Sequence, residues 1–146
     1  MEKLDEIFKE NKIDAVMHFA GLKSVSESIN FPILYYENNV FGTINLCKIM
    51  QKYNVKKIIF SSSATVYGTS SFAPYDETMP TGDVSKPSGR TKYIVEKLFE
   101  DLCNSDALWN VVILRYFNPI GAHESGLIGE SPRGIPNNLM PYIALV

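Results

Sequence analysis

Lys57-Ile58-Ile59-Phe60-Ser61-Ser62-Ser63-Ala64-Thr65-Val66-Tyr67-Gly68 is a short apolar run that stops abruptly in three serines. Ile58, Ile59 and Phe60 are β-branched or aromatic, too few for a helix, and preceded by Lys56 and Lys57. That pattern predicts a buried strand ending at Ser61. The serine hydroxyls then stand at its carboxyl end, and in an open parallel α/β sheet that edge is where ligands bind. Serines after a strand also serve simply to satisfy loop backbone groups, so this one loop does not settle a function. Two other predicted strands end in the same way.

Upstream, Leu4, Ile7 and Phe8 recur at helical spacing and Asn11 closes the pattern. Ile13 to Phe19 reads as a strand ending in Ala20-Gly21-Leu22-Lys23. Asn30 is placed to cap a helix with Pro32 in its first turn. In that helix Tyr36, Val40, Ile44, Cys47 and Met50 keep one apolar face through about Tyr53. Asn38 and Asn39 are weak helix formers in its middle, which predicts that at least one of them points at something polar.

Downstream, a long loop from Gly68 to Pro87 is punctuated by Pro74, Pro80 and Gly82. An amphipathic helix is predicted from Ser88 to Cys103, with Ile94, Val95, Leu98, Phe99 and Leu102 inward. Asn110 to Phe117 contains a third strand, Val111 to Leu114, ending in Tyr116-Phe117-Asn118-Pro119. Gly121 to Gly134 reads as loop, and Pro136 is placed to start a further helix. The order strand, helix, strand, helix, strand with right-handed crossovers is half of a doubly wound α/β sheet. Its three strands bring His18, Phe19 and Lys23, then Ser61 to Ser63, then Phe117 and Asn118, to one edge, a polar pocket at the default ligand site of this architecture.

Composition sets wide bounds. A chain of 146 residues is long enough for one domain with a real core, and 45% hydrophobic with 21% charged residues is ordinary for a globular protein. A net charge of -2 gives no signal for nucleic acid or an anionic membrane surface. Apolar runs such as Val111 to Leu114 are far too short to span a bilayer, and Glu2, Lys3 and Asp5 after Met1 do not read as a secretory signal. Cys47 and Cys103 fit no metal or redox spacing and fall in helical patterns, so they read as reduced core residues of a cytoplasmic protein, with no metal site.

Five segments, taken together, resemble one family. They are His18-Phe19-Ala20-Gly21-Leu22-Lys23, Asn38-Asn39-Val40, Ser61 to Gly68, Leu114-Arg115-Tyr116-Phe117-Asn118-Pro119, and Gly134-Ile135-Pro136-Asn137-Asn138-Leu139-Met140-Pro141-Tyr142. In collinear order over nearly the whole chain they are similar to the UDP-glucose 4-epimerases, which are extended short-chain dehydrogenases. Related nucleotide-sugar dehydratases typically carry an Asp-Glu pair where this sequence has Ala64-Thr65, so the resemblance favours the epimerase. It implies a Rossmann-type domain holding NAD, a UDP-sugar substrate (UDP-glucose or UDP-galactose), and oxidation and re-reduction at C4 of the sugar. It also implies a homodimer through the helices 32–53 and 88–103. Ser63 matches the hydroxyl that shuttles the proton of the reacting oxygen. Phe19, Ala20, Gly21, Leu22, Lys23, Asn38, Ser63, Lys92 and Phe117 match cofactor contacts. Lys23, Ser63, Asn118 and Asn138 match groups that hold the UDP-sugar.

Two departures accompany the resemblance. The family's catalytic base is a tyrosine four residues before a lysine, on one helix face; here Lys92 is present but Ser88 stands at the tyrosine position. An alkanol is a far weaker acid than a phenol, and Tyr93 lies about 100° around the helix from Lys92. Read without the family, Ser88 is a helix N-cap and Lys92 an exposed partner of Glu96. The family's Gly-x-x-Gly-x-x-Gly turn, which holds a pyrophosphate, is also lacking: Gly126, Gly129 and Gly134 come too late and outside a strand-to-helix context. The sequence is therefore expected to supply strands four to six of the order 3-2-1-4-5-6, as a single partial NAD-binding domain plus the start of a substrate-binding region. Three readings follow: a segment or truncated form of an NAD-dependent epimerase, inactive alone; a catalytically dead paralogue that binds or dimerises with a full-length epimerase; or another nucleotide-sugar epimerase or dehydratase.

Overall fold

The computed structural model describes residues 1–69, 73–121, 123–129 and 139–144. The chain divides into two compact units, Met1–Tyr116 and Phe117–Val146.

The first unit is built on a parallel sheet of β1 (Val16–His18), β2 (Lys57–Ser63) and β3 (Asn110–Tyr116), in the order β1-β2-β3. Val16, Met17 and His18 pair with Ile58, Ile59 and Phe60, and the β2–β3 register runs from Lys57↔Asn110 to Ser63↔Tyr116. The parallel α/β expectation is met, with all three strands differing in length; β3 runs beyond Val111 to Leu114 at both ends. β1 is shorter than Ile13 to Phe19 because only three of its residues find partners on β2. β2 continues past Ser61 to Ser63 because Leu114, Arg115 and Tyr116 extend the ladder beside the serines.

Side chains on alternate positions of a strand share a face, and Ile58, Phe60 and Ser62 are the buried set of β2. On that face Ile58 and Phe60 meet Leu46, Ile49 and Met50 of helix α4 (Gly42–Lys52), and Val95 and Phe99 of helix α5 (Pro87–Ser105). The Phe60 and Phe99 rings lie 5.4 Å apart, and burying each aromatic side chain contributes roughly 1.5–3 kcal/mol. Helix α1 (Glu2–Glu10) closes one end: Phe8 packs on Tyr53, and Asp5 accepts from Lys52 at 2.6 Å.

Between β1 and α4 the chain departs from the single helix expected over 32–53. A separate helix α2 (Val25–Asn30) comes first, with Ser24 as N-cap accepting from the Glu27 N–H. Asn30 therefore ends a helix instead of starting one. Helix α3 (Pro32–Tyr35) begins after Phe31, and a π-helical stretch, Tyr36–Phe41, joins it to α4. The deeply buried positions are Tyr35, Asn39, Thr43, Cys47 and Met50, whereas Tyr36, Val40 and Ile44 are half-buried. Cys47 and Met50 are thus buried as predicted, while before them the buried face is shifted by one residue, to Tyr35, Asn39 and Thr43, and carries polar groups. After β2 a 3-10 turn, Ala64–Tyr67, also unpredicted, leads to Gly68 at φ +68; a Cβ there would lie 2.1 Å from the Asp83 carbonyl oxygen.

In the second unit the described residues form helix α6 (Leu139–Ala144) and irregular chain with a turn in which Gly126 N–H bonds the His123 carbonyl at 2.9 Å. Gly126 and Gly129 lie in that irregular chain, while Gly134 and Pro136 are outside the described residues. Among the described residues no helix is long and apolar enough to cross a membrane, and no group of three or more His, Cys, Asp or Glu could hold a metal ion.

Candidate functional site

The carboxyl ends of β1 and β2 converge with the first turns of α5. Lys92 Nζ donates to the Ser61 carbonyl at 2.6 Å and lies 4.8 Å from the centre of the Phe60 ring. Burial holds its pKa below the ordinary lysine range. An ammonium set on a carbonyl and an aromatic face keeps the remaining N–H groups of Lys92 directed elsewhere. The pairing of Lys92 with Glu96 does not occur, because Glu96 is 1% exposed and turns into the fold.

Glu96 instead ties three elements together. It accepts from Ser62 of β2, and from Arg115 of β3 through Nη2 at 2.9 Å and Nε at 3.2 Å. Arg115 also donates to the Tyr67 hydroxyl at 3.3 Å. A two-pronged, hydrogen-bonded geometry of this kind is what a buried carboxylate needs.

Ser63 is half-buried at the tip of β2 and caps the 3-10 turn, accepting from Thr65 N–H at 3.3 Å and from Thr65 Oγ1 at 3.0 Å. Because Ser63 is the acceptor in both, its own proton is left to donate to a ligand oxygen. Thr65 is held in turn by Gly89: a Cβ on Gly89 would lie 2.8 Å from Thr65 Oγ1 and 2.7 Å from Val84 Cγ1.

The loop after β1 is fastened by Asn39. Its Oδ1 accepts the Leu22 N–H at 2.8 Å, and its Nδ2 donates to the Leu22 carbonyl at 3.0 Å and to Thr91 Oγ1 at 3.0 Å. Gly21 approaches closely enough that a Cβ would stand 3.4 Å from both Asn39 Oδ1 and Lys92 Nζ. The expectation that one of the two asparagines meets something polar is met by Asn39, while the exposed Asn38 donates to Asn39 Oδ1 at 2.9 Å. Both sit in the π-helical stretch, whose wider turn is frequent at functional sites. Below them Thr43 donates to the Asn39 carbonyl at 2.6 Å and bonds His18 Nε2 at 2.8 Å. Burial, then the charge of Lys92, pushes the His18 pKa down to about 4, so the ring is neutral at neutral pH.

Ser88 is buried beside these groups, and its hydroxyl makes no hydrogen bond among the described residues. It is not the N-cap: Lys86 holds that position without a side-chain cap bond, Pro87 is first in the helix, and Ser88 follows inside it. Tyr93 faces Gly82 and Lys97, away from Ser88. Phe19, Ala20 and Lys23 lie on the β1 loop, with Phe19 54% exposed. Phe117 and Asn118 open the second unit, and Asn138 lies outside the described residues. Sequence reasoning brought Ser62 to this edge with Ser61 and Ser63 and marked Asn39 as a poor helix former in an apolar helix, but it missed Thr91, Glu96 and Arg115 as site-building residues. These three form their bonds across elements and leave no local mark.

The sequence model of the NAD dependent epimerase/dehydratase family matches residues 1–144. A UDP-glucose 4-epimerase of Yersinia pestis is 59% identical over 143 residues, covering 98% of this chain and 42% of the relative. The Bacillus subtilis enzyme of the same name is 57% identical over 145 residues, covering 99% and 42%. Among solved structures, a Bifidobacterium longum UDP-glucose 4-epimerase in complex with NAD+ and UDP superposes with a TM-score of 0.92 at 56% identity, over 97% of this chain and 42% of that one. The chain thus spans about two fifths of the length of these relatives. With a match along almost its whole length, the chain belongs to the NAD dependent epimerase/dehydratase family.

Proposed function

We propose that the chain is the part of a cytoplasmic NAD-dependent UDP-glucose 4-epimerase that carries its proton-transfer edge. The observation that carries this reading is the placement of Lys92 on the Ser61 carbonyl, two residues from a Ser63 hydroxyl whose proton is uncommitted. These groups suit a nicotinamide ribose and a sugar hydroxyl: an ammonium with spare donors, a free O–H, and a Gly21 that leaves room for close approach. Phe19, Ala20, Gly21, Leu22, Lys23, Asn38, Ser63, Lys92 and Phe117 would hold the cofactor. Lys23, Ser63, Asn118 and Asn138 would hold the UDP-sugar. NAD held there would supply the hydride acceptor, and in its reduced form the hydride donor, for C4 of the sugar. Ser63 orients the C4 oxygen and passes its proton, and Lys92 lends positive charge where negative charge develops on that oxygen. Ser88 lacks the acidity and reach of a phenol, so this edge lacks its strongest proton acceptor.

A homodimer through helices 32–53 and 88–103 belongs to the same reading. It is supported by the apolar side chains that α3 and its flanks expose, Phe31 at 59%, Ile33 at 73%, Leu34 at 47% and Phe41 at 56%. Apolar groups clustered on one surface mark an interaction site. The second reading, a catalytically dead partner of an active epimerase, is favoured by Ser88 alone.

The test is a chimera in which this chain replaces the matching segment of the Bacillus subtilis relative. Conversion of UDP-galactose to UDP-glucose is expected to be slower than in the parent by on the order of 10²–10⁴, the usual effect of losing a positioned acid-base group. Ser88→Tyr is expected to recover most of the loss. Equal rates with serine and tyrosine at position 88 would overturn the proposed mechanism, and a chimera that retains NAD but stays inactive with Ser88→Tyr would favour the partner reading.

A further inference from the structure

Lys92 and Glu96 lie one turn apart on α5, and both reach to the serine end of β2. Lys92 takes the Ser61 carbonyl, and Glu96 takes the Ser62 hydroxyl on the next residue. Glu96 is anchored from its other side by Arg115, whose residue pairs with Ser62 across the β2–β3 ladder. The carboxylate is thus held on a neighbouring strand and cannot move without carrying Ser62 with it. We propose that Glu96 is a positioning residue: by clamping Ser62 between α5 and β3, it sets how far the Ser61 carbonyl and the Ser63 hydroxyl stand from Lys92.

The physical ground is the contrast between the two ends of β2. At its start, Lys56 makes a single, partly buried bond to Asp106 at 2.6 Å. At its end the carboxylate and the hydroxyl it holds are both buried: Ser62 is 4% and Glu96 1% exposed. A buried carboxylate with a two-pronged guanidinium partner has one low-energy arrangement, so it fixes distance where a surface pair would let the strand end drift. Ser62 itself points into the helix-covered face, so it contributes to the site by placing the residues on either side of it.

This inference rests on Lys92 as the cofactor-side lysine, but its test uses the chain without nucleotide or sugar. A failed chimera and a failed clamp are therefore separate results. Lysines are acetylated with limiting acetic anhydride across a pH series and read by peptide mass spectrometry, with exposed Lys9 and Lys48 and half-buried Lys56 as internal references. In the unaltered chain Lys92 is expected to label far more slowly than Lys48. In Glu96→Gln its limiting labelling rate at pH above its midpoint is expected to rise about tenfold, the loss of roughly one hydrogen bond's protection, while the midpoint itself moves up towards the ordinary lysine value as water reaches it. Lys9, Lys48 and Lys56 are expected to stay unchanged. Ser62→Ala, which removes only one hydroxyl, is expected to release Lys92 by several-fold with unfolding still cooperative. If Glu96→Gln fails to fold, Ser62→Ala decides alone. Unchanged Lys92 labelling in Ser62→Ala, or a rise matched at Lys56, would overturn the proposal and leave Glu96 a merely structural residue.

Discussion

His18 shows how one residue at the site is bent to the fold's needs. Packed on Phe60 at 5.6 Å between ring centres and bonded to Thr43, it is held neutral by burial and by the charge of Lys92. Its folded pKa of about 4 lies below the ordinary 6.5. Between those values the unfolded chain binds a proton that the folded chain refuses, so stability falls as pH drops from about 6.5 to about 4. The slope from this residue is at most about 1.4 kcal/mol per pH unit, less for partial exposure. Urea unfolding at pH 7, 5.5 and 4.5 should show that decline, and His18→Gln should flatten it; an identical slope in both chains would remove His18 as the cause. The lowered carboxyls of Asp5, Asp76 and Asp106 lose their contribution as pH falls through their ordinary 3.8, so they add to the decline at pH 4.5 but not between pH 7 and 5.5, where His18 acts without them. Cys47 is a second residue altered by its surroundings: burial pushes its thiol up to about 12, in keeping with the reduced, inert core cysteine read from the sequence.

At the scale of elements, what the sequence revealed and what it hid follow from the range of the interactions concerned. β2 was legible because a β-branched and aromatic run flanked by lysines and serines states its own boundaries. The capping serine of α2 is an equally local signal: Ser24-Val25-Ser26-Glu27 has the serine-to-glutamate spacing of a helix start, in competition with Asn30 and Pro32 just beyond it. The π-helical stretch was not legible, because nothing in Tyr36 to Phe41 demands a wider turn until Leu22 and Thr91 are present to bond Asn39. That dependence predicts a cost. Asn39→Ala removes four hydrogen bonds, two with Leu22 and one each with Thr91 and Asn38, and leaves the Leu22 N–H and carbonyl without their partner. At about 1–3 kcal/mol for each buried polar group left unsatisfied, chemical denaturation should report a loss of about 2–4 kcal/mol. A loss below about 0.5 kcal/mol would mean that water replaces the amide and that the loop is held elsewhere. The clamp that Glu96 and Arg115 form on Ser62 was hidden for the same reason, as its three residues come from three elements up to 53 positions apart.

For the whole molecule, the decisive feature is where apolar surface remains uncovered. One face of the sheet is roofed by α4 and α5. On the other, Met17, Ile59 and Val112 stand in register across the three strands, with Met17 63% and Val112 45% exposed. A doubly wound sheet carries helices on both faces, and this chain spans about two fifths of the relatives it matches. A second apolar surface lies on α3 and its flanks, and the two make different predictions. Sheet edges and bare sheet faces associate without a defined stoichiometry, whereas a helical face pairing with its own copy closes as a symmetric dimer. Sedimentation equilibrium of the unaltered chain is therefore expected to fit a monomer–dimer equilibrium. Phe31→Glu combined with Ile33→Glu is expected to give a monomer of unchanged helix content, because both side chains are more than half exposed and support no core. Met17→Lys is expected to leave the dimer intact and to reduce only higher aggregates, since it places a charge on the bare sheet face. A dimer that survives the double helix variant but is lost in Met17→Lys would move the interface to the sheet. The helices 32–53 and 88–103 would then have no part in holding two copies together.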